Sequence, residues 1–404
     1  MFLCGRNGVY LLNYDFKTFI QRKNMGSGKW EELCKLYPEP DRLHIPLSVA
    51  DMELMNAPEI IEGLKSFMDH TILGYCGPNE AYFESVINWM STKHGFAPKK
   101  EWFVETPGVV PALAQLVKAF TEPGDGVLIT PPVYYPFEGV VKNTGRELVK
   151  SQLIQNGDHY DIDFDDFEAK AKLPGTKLFI MCSPHNPLGR IWTRQELEQI
   201  SRICLENGVY VISDEIHFDL IMPGHEHVSV GALDEQYVNN SVICTAPSKT
   251  FNLAGVQVSN ILIPDPEKHK KLQAARGYSS LNVFAYEACR LAYNKAGDWL
   301  SQLLIHLDSN RRRVEEFFAR NVPHVKVTRL EATYLMWLDF RWMGLNDKEL
   351  EKFMKEKAGW FTDEGCMFGD GGSGFERINI AMTAEVLDYM LDRLYKALKS
   401  ENYI

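Results

Sequence analysis

Three polar clusters in this chain each follow a short apolar run. Residues 241–244 lead into TAPSKTFNLAG, which carries Lys249. Residues 177–182 lead into SPHNPLGR, with Asn186 near its centre, and residues 209–213 lead into Asp214-Glu215-Ile216-His217. An amide, a carboxylate and an amine, each just past the end of a strand-like run, can serve one chemistry together. A lysine amine forms an imine with an aldehyde, a carboxylate keeps a pyridine nitrogen protonated, and an amide donates to a ring oxygen. Those are the requirements for holding pyridoxal phosphate. Successive clusters are roughly 30 residues apart, the length of one strand–helix–strand unit.

The elements that must position these groups read as an α/β sheet. Residues 127–130, 178–182, 209–213, 242–245 and 259–263 are short and apolar, as strands buried on both faces are. Between them lie helical patterns. The clearest is 193–207, where Thr193 and Glu196 form a capping box, Leu197, Ile200 and Cys204 make an apolar stripe, and Gly208 ends the helix. Alternation of this kind puts helices on both sheet faces and the polar clusters at strand carboxyl ends, where such sheets bind ligands. The C-terminal part differs. Helical patterns near 298–321 and 347–356 flank strand patterns at 334–340 and 376–380, which predicts a smaller α+β domain.

Each candidate has a plainer reading beside it. Most lysines are solvated surface residues, an Asp after a strand often caps a turn, and Asn before Pro187 is ordinary turn chemistry. Their joint occurrence in this order favours the chemical reading. Lys249 would then play a second part, since a free amine near the substrate α-carbon can act as general base. Asp214 would favour the protonated ring by opposite charge. A phosphate could rest on the N–H groups of Val109 and Val110, where a helix pattern with Pro111 near its start begins, and the Ser248 hydroxyl could add a donor. Gly369, Gly371 and Gly374 spell G-x-G-x-x-G, but they precede a strand pattern instead of following one. A dinucleotide fingerprint is thereby rejected in favour of a loop.

The same segments resemble fold-type-I pyridoxal-phosphate enzymes of the aminotransferase class I/II superfamily. Within it, SPHNPLGR, SDEIHFDLIMPG and APSKTFNLAG are similar to the MalY/PatB group of cystathionine β-lyases. LSVADME, LGYCGP, PGVVPA, PPVYYPF and FGDGGSGFERINIA fit the same pattern in the same order, from about Tyr14 to the C-terminus. The resemblance implies a large, mostly parallel α/β/α domain over 59–299. It implies a smaller α+β domain built from 14–58 and 300–404, and leaves 1–13 as an extension. It also implies that Tyr134 stacks on the cofactor ring and Tyr135 faces substrate, and that Arg377 pairs bidentately with a substrate α-carboxylate. Tyr75 would reach the phosphate of a neighbouring subunit, making a homodimer the active unit. His217 stands where many aminotransferases place a tyrosine against the ring oxygen. Relatives often carry a serine and an arginine where this chain has Ala246 and Gln257, which removes an arginine–phosphate contact there.

Composition excludes several other classes. A net charge of −11 lacks the basic footprint of non-specific nucleic-acid binding. No apolar run approaches the roughly 20 residues of a membrane span. The eight cysteines form no C-x-x-C pair, so no structural metal is expected, and reduced thiols in the cytoplasm are. The expectation is a carbon–sulfur β-lyase acting on a sulfur amino acid such as L-cystathionine or L-cysteine. The alternatives are an aminotransferase and a regulatory binding protein that retains the cofactor.

Overall fold

The computed structural model describes residues 13–276 and 280–404, so the extension expected over 1–13 lies, except for Asn13, outside the described residues. Thirteen strands are described. They are β1 (Phe103–Thr106), β2 (Gly126–Ile129), β3 (Glu147–Lys150), β4 (Ile154–Asn156), β5 (His159–Asp161), β6 (Thr176–Cys182), β7 (Tyr210–Asp214), β8 (Ser241–Thr245), β9 (Ser259–Leu262), β10 (Lys326–Val327), β11 (Leu335–Asp339), β12 (Asp363–Glu364) and β13 (Phe375–Asn379).

Seven of these form the central sheet in the order β1-β9-β8-β7-β6-β2-β3. Neighbours from β3 through β8 pair in parallel, whereas β9 runs antiparallel to both β8 and β1. The inner strands are buried on both faces because helices pack on each side, and that is why every residue along β2, β7 and β8 is buried rather than every second one. The helix Arg194–Glu206 carries the expected capping box between Thr193 and Glu196, and Gly208 follows it at φ 68°. The helix Val109–Phe120 begins two residues earlier than Pro111.

A second, four-stranded antiparallel sheet has the order β10-β11-β13-β12. The N-terminal segment is stitched to it. Leu47 N–H donates to the Phe361 carbonyl, Asn379 N–H donates to the Leu47 carbonyl, and Glu53 N–H donates to the Ala381 carbonyl, each at 2.7–2.9 Å. The long helix Gly297–Asn321 covers this region with Trp299, Leu303, Leu307, Val314 and Phe318 buried along one stripe. The pattern read at 347–356 is a short α-helix, Asp347–Lys352, that continues as a π-helical turn, Phe353–Ala358.

Gly189 closes the turn after Asn186. It sits at φ 65°, and a Cβ there would lie 2.4 Å from Leu330 Cδ1 and 3.0 Å from the Ala332 carbonyl. Its own carbonyl takes the N–H groups of Glu331 and Ala332, so the turn is tied to the C-terminal part. Gly189→Ala is therefore expected to destabilise the protein by about 1–3 kcal/mol, through strain and overpacking together. A lowered thermal midpoint is the readout.

Candidate active site

The parallel strands deliver the polar clusters to one edge. Asp214 is the last residue of β7, where it is in register with Cys182 of β6 and Cys244 of β8. Asn186 follows β6, and Lys249 lies in the single helical turn Pro247–Thr250 after β8. Arg377 arrives from the other sheet, at the middle of β13.

These groups meet. Arg377 Nη1 donates to Asn186 Oδ1 at 2.7 Å across 191 residues of chain. That bond fixes the amide orientation and leaves Nδ2 as the free donor. Arg377 is 2% exposed, whereas Glu376 is buried against Thr362, so the two do not form a surface ion pair. Arg377 Nη2 donates to Asp363 Oδ2 at 2.5 Å, its Nε is buried without a partner among the described residues, and its guanidinium lies over the Phe368 ring.

Electrostatics separates the roles. Burial lifts the Asp214 carboxyl to about 7, opposed by the Ile216 N–H and the charge of Lys249. A carboxylate so placed gains from a cation brought against it, and a protonated pyridine nitrogen is such a cation. Burial depresses the Lys249 amine to about 8, with Asp51 opposing and Arg377 assisting that shift. Its Nζ donates to the Ala50 carbonyl at 2.7 Å. Burial, reinforced by Lys249 and Arg377, holds the His217 imidazole well below its usual range, so it is neutral, and its Nδ1 is buried without a partner among the described residues. Tyr134 and Tyr135 lie 5.5 Å apart between ring centroids. Burial raises both hydroxyls, and Tyr134 also feels Asp214 while Tyr135 feels Asp363 and Arg377. These donors, the acceptor Asp214 and the amine fit a pyridoxal ring carrying a hydroxyl and a basic nitrogen.

Residues 44–394 match the family described as aminotransferase class I and II. The chain belongs to that family. Among its relatives, cystathionine beta-lyase PatB of Bacillus subtilis is 41% identical, over 96% of this chain and all of that protein. Protein MalY of Escherichia coli is 28% identical over 96% of this chain and 99% of its own length. The structure of cystalysin from Treponema denticola, which contains a pyridoxal 5'-phosphate cofactor, superposes with a TM-score of 0.94 at 45% identity, covering 96% of this chain and 100% of that one. A pyridoxal-phosphate-bound C–S lyase from Staphylococcus hominis gives 0.89 at 30% identity, covering 97% of this chain and 100% of that one.

The other expected residues share no hydrogen bond with the clustered groups among the described residues. Val109 and Val110 open the helix Val109–Phe120 with their N–H groups not used inside it, as a phosphate would require. Ser248 Oγ makes a long 3.5 Å contact with the Val258 carbonyl. Gln257, which stands where relatives often carry an arginine, is exposed at φ 62°. Tyr75 is fully exposed and lies outside the cluster within one chain.

The structure also adds residues that the motifs do not single out. Tyr334 Oη donates to the Ala50 carbonyl at 2.9 Å, beside Lys249. Asp219 takes hydrogen bonds from Trp89, His94 and, at 2.7 Å, the hydroxyl of Thr250, the residue after Lys249. Asp363 and Val49 complete the surroundings of Arg377. LSVADME is visible as a motif, but nothing in its composition tells that Ala50 offers its carbonyl to a lysine 199 positions away.

Proposed function

We propose that this chain is a pyridoxal-phosphate-dependent carbon–sulfur β-lyase, converting sulfur amino acids such as L-cystathionine or L-cysteine to pyruvate, ammonia and a thiol or hydrogen sulfide. The observation that carries the reading is the convergence of Lys249, Asp214, Asn186 and Arg377 in one site, in a chain 45% identical to cystalysin.

When bound, pyridoxal phosphate supplies an electron sink for negative charge developing at the substrate α-carbon. Asp214 keeps the ring nitrogen positive. Asn186 would present Nδ2 to the ring oxygen, and His217 would add a neutral imidazole to the site. Tyr134 packs against the ring. Val109 and Val110 offer backbone N–H groups to the phosphate, and Ser248 a hydroxyl. Arg377 would grip the α-carboxylate, and Tyr135 would face substrate. Lys249 anchors the cofactor between turnovers. With substrate bound, Nζ would accept the α-proton, and its depressed pKa lowers the cost of presenting the neutral amine. The thiolate then leaves Cβ with the electron pair of the carbon–sulfur bond.

Tyr75, Ile72 and Leu73 form an exposed apolar group, with Tyr75 and Ile72 100% and 90% accessible. A second copy of the chain covers it in the proposed homodimer, and Tyr75 then reaches the partner's phosphate site. Among the described residues no helix is long and apolar enough to cross a membrane, and seven cysteines are free. A cytoplasmic setting accords with those thiols.

An aminotransferase shares every step through removal of the α-proton, and the family's name favours it as the second reading. Product analysis separates the two. The lyase forms pyruvate and sulfide or a thiol with no added keto acid; product formation that requires a keto acid overturns this reading. Asp214→Asn leaves the fold intact and weakens the sink. Its kcat is expected to fall on the order of 10²-fold or more, equivalent to roughly 2.7 kcal/mol. An unchanged kcat removes Asp214 from the chemistry.

A further inference from the structure

Asp363 has no part in the reaction as proposed, yet it is bonded to the residue that would capture the substrate. The pairing of β12 with β13 sets Asp363 directly opposite Arg377. Its Oδ2 accepts from Arg377 Nη2 at 2.5 Å and from the Val49 N–H at 3.0 Å. The two charged side chains are 7% and 2% exposed, so water screens the pair little.

Val49 is the second half of the observation. It is β-branched, yet its φ is 59°, a conformation such residues avoid unless their surroundings impose it. The bond to Asp363 and the Asn379 Nδ2 bond to the Val49 carbonyl hold it there. The next residue, Ala50, gives its carbonyl to Lys249 Nζ at 2.7 Å. One carboxylate thus joins the arginine to the segment facing the lysine.

The consequence is electrostatic. A buried guanidinium without a counter-charge is costly, and Asp363 relieves that cost while the site is free of substrate. It also takes one end of the guanidinium fork, and Asn186 takes the other. An arriving α-carboxylate must share a cation that is already half-neutralised. We propose that Asp363 is a positioning residue: an internal counter-ion that holds Arg377 in place and sets the site's grip on substrate and product carboxylates below what the free guanidinium would give. This rests on the assignment of Arg377 to the substrate carboxylate.

The test uses the cofactor-loaded enzyme and L-alanine, which has no leaving group at Cβ, titrated through the change in visible absorbance. Asp363→Asn keeps an acceptor for the Val49 N–H and removes the charge. It is expected to bind L-alanine about tenfold more tightly than wild type, with the starting absorbance unchanged. The KM for L-cystathionine should fall more than kcat changes, a split that a general loosening of the site does not produce. Asp363→Ser removes the charge without adding volume and should act in the same direction if the first variant does not fold. Arg377→Ala is titrated alongside. If it weakens L-alanine binding while the Asp363 variants bind as wild type or more weakly, the proposal for Asp363 is overturned alone. If Arg377→Ala binds as wild type, the arginine assignment falls and takes this proposal with it.

Discussion

Lys249→Ala is expected to give a protein that folds, lacks the visible absorbance of a lysine-bound cofactor, and turns over several orders of magnitude more slowly. Two separate losses produce this. In the proposed site the variant loses both the amine that would anchor the cofactor and the base that would take the α-proton; general base removal alone accounts for about 10²–10⁴-fold. Substitution is tolerable to the fold because, among the described residues, the Lys249 side chain contributes one hydrogen bond, Nζ to the Ala50 carbonyl, and that acceptor keeps the Tyr334 hydroxyl. Lys29 does not replace it, since its ammonium is held by Asp51 and Glu53 at 2.6 and 2.9 Å. Borohydride reduction followed by peptide mapping is the direct check. A reducible adduct and normal turnover in the variant would falsify the assignment.

Why Lys249 is legible in the sequence and Asp363 is not follows from what each needs. Lys249 and Asn186 sit just beyond buried strands and Asp214 ends one, and such strands announce themselves by short runs rich in apolar residues. The capping box at Thr193 and Glu196 and the stop at Gly208 are local rules, so the helix between them is readable to within a residue. Strand direction is not local: β9 is as fully buried as β8, and nothing in its residues tells that it runs antiparallel. The pattern at 347–356 breaks into a π-helical turn that shares the same amphipathic residues. Asp363 lies in a two-residue strand, too short to carry a period, and an acidic residue beside Glu364 reads as solvated surface. Its burial comes from Arg377 and Val49, contacts that exist only once the N-terminal segment has packed against the C-terminal sheet.

Arg377 carries the expectation that bears most directly on substrate class. Any α-amino acid presents a carboxylate, and the guanidinium fork can hold both its oxygens. Arg377→Ala is therefore expected to lower kcat/KM by a factor corresponding to roughly 2–5 kcal/mol for every amino-acid substrate. The visible absorbance should persist, because the proposed cofactor contacts of Lys249, Asp214 and the N–H groups at Val109 and Val110 come from other elements. A smaller secondary loss is built into the geometry. Removing the guanidinium frees Asn186 Oδ1 and leaves Asp363 buried without its cation, so the amide is no longer held in one orientation. Arg377→Lys separates these contributions. An ammonium can reach one partner at a time, so it restores charge without the fork and should recover part of the loss. Double substitution of Arg377→Ala with Asp363→Asn removes the orphaned carboxylate as well and should be more stable than Arg377→Ala alone. If all these proteins bind and convert L-cystathionine equally, the carboxylate is held elsewhere. The search for its partner would then move to the backbone N–H of Ala50, beside the strained residue Val49.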